Sequence, residues 1–162
     1  MFNIYLLISS VLASIFILIA FVIFVRNSKS RINALFMAVS VSMAVWLVSN
    51  YLASDSVVDY EIALIANRLV FVFGMSSIYS ILVFIRQLLQ KKPSLLTRLF
   101  ATSNYVAMIL GATQLVVSDI SKDGATYAIE FGWFANIYFL IILLDLVGII
   151  YYLTFGSRKT KG

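Results

Sequence analysis

The sequence predicts an all-α fold, a polytopic membrane helix bundle with five transmembrane helices in a single transmembrane domain, residues 1–162. The chain is 62% hydrophobic and only 12% charged, whereas soluble domains carry about a quarter charged residues. A soluble chain of this size could not bury so much apolar surface in one core. Five apolar runs reach about the 20 residues that a spanning helix needs: Ile4–Val25, Ile32–Ala53, Tyr60–Ile85, Leu99–Val117 and Gly132–Phe155.

Charged residues alternate in sign along the chain. Ten of the twelve basic residues form three clusters, which follow the first, third and fifth runs: Arg26, Lys29 and Arg31; Arg86, Lys91, Lys92 and Arg98; Arg158, Lys159 and Lys161. Six of the seven acids lie in or next to the two loops between these clusters, at 54–59 and 118–131: Asp55, Asp59, Glu61, Asp119, Asp123 and Glu130. Because basic loops stay on the cytoplasmic side, this alternation predicts an outside N-terminus and a cytoplasmic C-terminus. It also assigns the net charge of +5 to contact with the lipid bilayer and not with nucleic acid.

The five runs indicate helices and not strands. Each is too long for a strand, and none shows the two-residue alternation that a membrane barrel requires. The single proline, Pro93, lies in the basic loop at 86–98, where it interrupts no helix. The third run is the longest, so we expect its helix to tilt or to protrude from the bilayer.

The outer loop at 118–131 differs from the other loops. Asp123-Gly124 is a turn signal, and the segment Thr126–Phe131 alternates in polarity, with Tyr127 and Ile129 on one side. Such a pattern is typical of a β-hairpin. We therefore expect a short β-hairpin that lies over the outer ends of the helices.

Two charged residues lie inside the predicted spans. Arg68 is near the outer end of the third span, where its side chain can extend to the headgroups or pair with Glu61. Asp145 is near the middle of the fifth span, where its short side chain cannot extend to the headgroups. It either forms hydrogen bonds within the bundle or pairs with Arg68. Ionisable groups at such depth are costly and usually face protein or water, so these two residues are the leading candidates for function.

Weakly polar residues form stripes along the predicted helices. Small and polar residues favour close helix packing in membranes, and packing alone accounts for most of them. The functional alternative is a small cavity in the outer half of the bundle with a polar lining. The candidate residues for ligand binding or for this polar core are Arg68, Asp145, Trp46, Asn50 and Gln114.

The composition excludes several kinds of chemistry. The chain has no His and no Cys, which removes thiolate chemistry, the usual zinc sites and imidazole acid–base catalysis. No span contains a lysine for a Schiff base, and there is no phosphate-binding glycine loop. We therefore expect no catalytic residue, no metal, no cofactor and no enzymatic activity.

The segment from Asn33 to Leu89 carries the most recognisable arrangement. A basic loop leads into a helix with Trp46, a short acidic loop follows, and a long helix then begins with ANRLVFVFG, which contains Arg68. Together with the later step at Gly132, this order resembles the seven-helix N-terminal membrane sensor region of bacterial histidine kinases. The resemblance implies a sensor domain in a bacterial cytoplasmic membrane.

The chain departs from that family in two respects. It shows five helices where the family has seven, and it has no His to phosphorylate. We therefore expect a sensor of an extracytoplasmic or membrane-dissolved signal without kinase activity of its own, either as part of a longer kinase or alone. Its expected partners are a cytoplasmic kinase or cyclase module, a partner membrane protein or a second copy in a homodimer. The alternatives are a small transporter or transporter subunit that uses Asp145, and an accessory membrane protein without a ligand.

Overall fold

A computed structural model describes residues 4–54, 58–93, 95–124 and 126–156. The predicted basic cluster at 158–161 and the acid Asp55 lie outside the described residues. In chain order the elements are α1 (Ile4–Arg26), α2 (Arg31–Ser54), α3 (Tyr60–Leu88), α4 (Leu95–Gly111), β1 (Val117–Asp123), β2 (Thr126–Phe131) and α5 (Ala135–Tyr151), which continues into a π-helical segment (Tyr152–Gly156).

Within the described part of the chain, four helices are long and apolar enough to cross a membrane. They are α1, α2, α3 and α5 with its π-helical extension, and their mean hydropathy lies between 1.9 and 2.9. The predicted mainly helical fold is thereby confirmed, and the length and composition of these four helices suggest a membrane protein. The fourth helix, α4, has 17 residues and is about 25 Å long.

Helices α4 and α5 differ in their bounds from the predicted spans, and α4 begins at Leu95, before the expected Leu99. The fourth span was expected to reach Val117, but the helix ends at Gly111 because Thr113 folds back, its hydroxyl donating to Leu110 O at 2.6 Å. The fifth span was expected to begin at Gly132, but its helix begins at Ala135. The apolar run continues through both turns, so hydropathy did not reveal them.

The bundle is organised around α3, which packs against α2, α4, α5 and β1. Helix α1 packs against α2 and buries the small side chains of Ala13 and Ala20. Most of its large apolar side chains are exposed, such as Leu18, at 63%. Small residues allow close approach between helices, while large apolar side chains suit contact with lipid.

Strands β1 and β2 form the predicted hairpin, which is confirmed. They pair antiparallel, from Val117 opposite Phe131 to Asp123 opposite Thr126. Gly124, in the turn, has a φ of +60°, which glycine adopts without steric cost. The hairpin packs on α3 and α2, and we call this side of the molecule the hairpin end. The opposite side, where α1 joins α2 and α3 joins α4, is the far end.

The main hydrophobic core lies beneath the hairpin. Phe71 and Met75 of α3 meet Val116, Ile120 and Tyr138 there, together with Ala63, Ala107 and Val117. The Tyr138 hydroxyl donates to Phe71 O, and the two rings meet edge to face with centroids 5.3 Å apart. These contacts fix the relative depth of α3 and α5.

Candidate functional site

Asp145 is fully buried between α4 and α5, and it contacts an amide. Asn104 Nδ2 donates to Asp145 Oδ1 at 3.1 Å and also to Phe100 O at 2.8 Å. Both side chains have no exposed surface. Asp145 therefore forms a hydrogen bond within the bundle, which was one of the two alternatives that the sequence left open.

The contact between Asn104 and Asp145 satisfies only part of the polar atoms. Asp145 Oδ2 and Asn104 Oδ1 are buried without a hydrogen-bond partner among the described residues. An unsatisfied polar atom in a low-dielectric interior costs about 1–3 kcal/mol. Binding of a proton or a cation, or a shift of one helix, would lower the free-energy cost of these two unsatisfied atoms. The contact between Asn104 and Asp145 is therefore the strongest candidate site in the bundle.

Arg68 has a different partner, and the structure does not pair it with Asp145. Its Nε donates to Val117 O at 3.4 Å, at the start of the hairpin. The contact between Tyr138 and Phe71 marks the same depth on α5 and on α3. Asp145 lies about 10 Å from this depth toward the far end, whereas Arg68 lies about 4.5 Å from it toward the hairpin end. The two side chains are thus separated by about 15 Å along the bundle, which exceeds the reach of an ion pair.

The remaining sequence candidates do not gather around Asp145. Asn50 is exposed on α2, and Gln114 is exposed in the turn that follows α4. Trp46 lines a cavity of about 410 Å³ with Gly74 and Phe71, and nearly all the other lining side chains are apolar. The expected polar-lined cavity that contains all five candidates is therefore not seen among the described residues. The reason is that α4 ends before Gln114 and that α2 turns Asn50 outward.

Three side-chain hydrogen bonds among the described residues attach the hairpin to α3 and to the segment before it. The Tyr60 hydroxyl donates to Asp119 Oδ1, and the Tyr127 hydroxyl donates to Val58 O at 3.0 Å. Arg68 supplies the third contact, to β1. The hydrogen bond from Tyr60 lowers the pKa of the exposed Asp119 carboxyl below its ordinary value, and the Ile120 N–H and Arg68 act in the same direction.

The hairpin also joins α4 to α5 through backbone contacts. Gly132 N donates to Val116 O at 3.0 Å, and Phe134 N donates to Leu115 O at 2.9 Å. A Cβ atom on Gly132 would lie 2.4 Å from the carbonyl oxygens of Gln114 and Leu115. Only glycine permits this approach, so the two ends of the hairpin are held together directly above the α4–α5 contact.

Two buried residues with a polar atom that lacks a partner among the described residues were not among the sequence candidates. Asn104 is the partner of Asp145, and Arg86 is 9% exposed with its Nε buried and without a partner among the described residues. Arg86 was assigned to a cytoplasmic basic cluster. Its spacing of seven from Tyr79 and four from Leu82 does place it on the inward face of α3, which is the signal that could have revealed its burial.

Comparison of the chain with protein-family models, with curated proteins and with solved structures finds no match. Among the described residues, no group of three or more acidic, His or Cys side chains is placed to hold a metal ion. The geometry of the bundle and the resemblance seen in the sequence are therefore the observations that bear on function.

Proposed function

We propose that the chain is a multi-pass sensor domain of a bacterial cytoplasmic membrane, with five spans, an outside N-terminus and a cytoplasmic C-terminus. It detects an extracytoplasmic or membrane-dissolved signal and passes it inward along α5, without kinase activity of its own. The hairpin end is the outer side in this proposal. The described acids, apart from Asp145, lie at that end, and the basic residues at 26–31 and 86–98 lie at the far end, in agreement with the positive-inside rule.

The observation that carries the proposal is the half-satisfied contact between Asn104 and Asp145. Hydrogen bonds between helices are among the forces that hold them together in a bilayer. Because one oxygen on each side lacks a partner, a second arrangement of α4 against α5 is close in free energy. A signal shifts such an equilibrium by its difference in affinity for the two arrangements.

The hairpin supplies a route from the outer surface to this contact. It lies between α4 and α5 in the chain, and its two ends are joined by the backbone hydrogen bonds at Gly132 and Phe134. A ligand that moves the hairpin therefore moves the outer ends of both helices. The far end of α5 then meets the cytoplasmic partner, for which we propose a kinase or cyclase module, a partner membrane protein or a second copy of the chain.

Cysteine labelling tests the proposed orientation. The chain has no Cys, so single substitutions give an unambiguous signal. Asp59→Cys and Lys122→Cys should react with a membrane-impermeant maleimide from outside intact cells, whereas Lys29→Cys and Lys91→Cys should react only after permeabilisation. Labelling of Lys91→Cys from outside would contradict the five-span topology.

Spin-label distances between α4 and α5 test the sensor mechanism. Labels at Ile109 and Leu140, which are both exposed, should report two separations in lipid nanodiscs. Asp145→Asn should change the ratio of the two populations by about threefold or more, and Asp119→Asn should change it through the hairpin. The matched control Asn50→Ala, an exposed amide on α2, should leave the ratio unchanged. A single separation that neither variant alters would contradict a two-state sensor.

The alternative function is a small transporter, and one observation favours it. Asp145 Oδ2 and Asn104 Oδ1 are both buried acceptors without a partner among the described residues, and oxygen atoms are the groups that accept a proton or a hard cation. Proton or Na⁺ flux into liposomes that is lost in Asp145→Asn and retained in Asn50→Ala would favour this function over the sensor.

A further inference from the structure

Arg86 is a buried cation, and no acidic residue occurs among the described residues that line the cavities beside it. It lies in the last turn of α3 and is 9% exposed, and its Nε has no hydrogen-bond partner among the described residues. A buried charge is costly unless it is paired. An arginine at the end of a spanning helix ordinarily extends to the headgroups, but this side chain is held inside the bundle.

Two cavities meet at Arg86. The first, of about 290 Å³, opens between α3, α4 and α5 and is lined mainly by apolar and aromatic side chains, among them Leu82, Phe100, Val147 and Tyr151. Its volume is at the lower end of the range for ligand pockets. No acidic residue occurs among the described residues that line it.

The second cavity has a more polar lining. It has about 360 Å³ and lies on the other side of Arg86, where Arg31, the first residue of α2, lines it together with Ser76 and Ser80. None of the described residues that line it is acidic. Arg86 lines both cavities, so a group bound to the two guanidinium groups of the second cavity would lie beside the apolar first cavity.

We propose that the far end of the bundle binds an anionic lipid. Its phosphate or carboxylate headgroup pairs with Arg86 and Arg31, and one acyl chain occupies the apolar cavity between α3, α4 and α5. Guanidinium groups bind such oxyanions with two parallel hydrogen bonds, which would supply the partner that Arg86 Nε lacks. Basic pockets between helices on the cytoplasmic side are suited to acidic lipids. This site is independent of the sensor proposal, because it involves neither Asn104 nor the hairpin.

Native mass spectrometry of the full chain in a neutral detergent tests the site. The probes are phosphatidylglycerol, phosphatidylcholine with the same acyl chains, oleate and inorganic phosphate. We expect phosphatidylglycerol to bind about tenfold more tightly than phosphatidylcholine. Arg86→Gln should remove most of that preference. The control Arg98→Gln should keep it, because Arg98 is exposed on α4 and lines neither cavity.

A second pair of variants tests the acyl-chain cavity. Val147→Trp, which fills the cavity, should weaken the binding of phosphatidylglycerol and of oleate about fivefold, whereas Leu146→Trp, on the neighbouring exposed position of α5, should not.

If Arg86→Gln fails to fold, Arg31→Gln tests the headgroup site from an exposed position and should lower the preference for phosphatidylglycerol about threefold. Equal binding of the two phospholipids overturns the proposal. Equal effects of Arg86→Gln and Arg98→Gln also overturn it, as does inorganic phosphate that binds as tightly as phosphatidylglycerol.

Discussion

The hairpin half and the far half of the bundle differ in whether their buried polar atoms have hydrogen-bond partners among the described residues. In the hairpin half, the Tyr138 hydroxyl has an acceptor, and Asn67 donates to Ala53 O at 3.1 Å and to Ala63 O at 3.0 Å. In the far half and the middle, Asn104, Asp145 and Arg86 each bury a polar atom without a partner among the described residues.

This difference separates the residues that stabilise the fold from those available for function. The core cluster around Phe71 and Met75, whose side chains are buried against one another, lies beneath the hairpin. The two cavities beside Arg86 lie in the far half. Because buried polar groups without partners cost free energy, their retention beside cavities is easier to explain by binding or by movement than by stability.

Tyr138→Ala should give the largest loss of stability. The ring is fully buried and contacts Phe71 and Phe139, so its removal leaves a cavity at the centre of the hairpin half. We expect the free energy of unfolding, measured by steric trapping in bicelles, to fall by about 4 kcal/mol. Leu140→Ala, on an exposed position of the same helix, should cost about 0.5 kcal/mol. Equal losses would show that the hairpin half is not the stable part.

Gly132→Ala should give the next largest loss. The added Cβ would lie 2.4 Å from two backbone carbonyl oxygens, which cannot move without displacing the turn after α4. We expect a loss of about 3 kcal/mol in the same assay. Gly124→Ala provides the contrast, because its Cβ would meet no atom within 4 Å. Only the strain of the positive φ should then lower the free energy of unfolding, by about 1 kcal/mol. A smaller effect at Gly132 than at Gly124 would contradict the tight junction.

The comparison also explains which features were predictable from the sequence. Helices and the hairpin depend on local signals, namely the length of apolar runs and the turn residues Asp123 and Gly124, and these were predicted. The partners of Arg68 and Asp145 depend on the register between α3 and α5. Arg68 lies 18 residues before Arg86 and Asp145 lies 13 residues before Arg158, a difference in depth that an arginine side chain could span, whereas the contact between Tyr138 and Phe71 separates the two residues by about 15 Å along the bundle.

The burial of Arg86 is a second feature that depends on helix packing and was not predicted from the sequence. Charge alternation treats every basic residue near a helix end as part of a solvated loop, and Arg86 satisfies that pattern. Whether such a side chain points outward or inward depends on which face of α3 meets α4 and α5. Composition does not record that face, although the positions of Tyr79 and Leu82 indicate it once the helix is known.

Asp145→Asn should have a small effect on stability, in contrast to Tyr138→Ala. The asparagine keeps an acceptor for Asn104 Nδ2, and it has no charge to bury at the position of Asp145 Oδ2, which lacks a partner among the described residues. We expect the free energy of unfolding to stay within about 1 kcal/mol of the parent value, while the α4–α5 populations change. A loss as large as that of Tyr138→Ala would make Asp145 a structural residue and erase the distinction between the two halves.

The smallest expected effect is the acid sensitivity of the hairpin. The hydrogen bond from Tyr60 lowers the pKa of Asp119 in the folded protein, so the unfolded chain binds a proton at Asp119 more readily than the folded chain. The stabilisation is therefore fully present above the ordinary pKa and is lost as the pH falls below about 4. Thermal unfolding in detergent should show a decline in Tm below that pH that is shallower in Tyr60→Phe, which lacks the hydroxyl. The decline should stay unchanged in Tyr105→Phe, whose hydroxyl is on α4. An identical decline in all three proteins would show that Asp119 does not anchor the hairpin and that the hairpin half owes its stability to the apolar core alone.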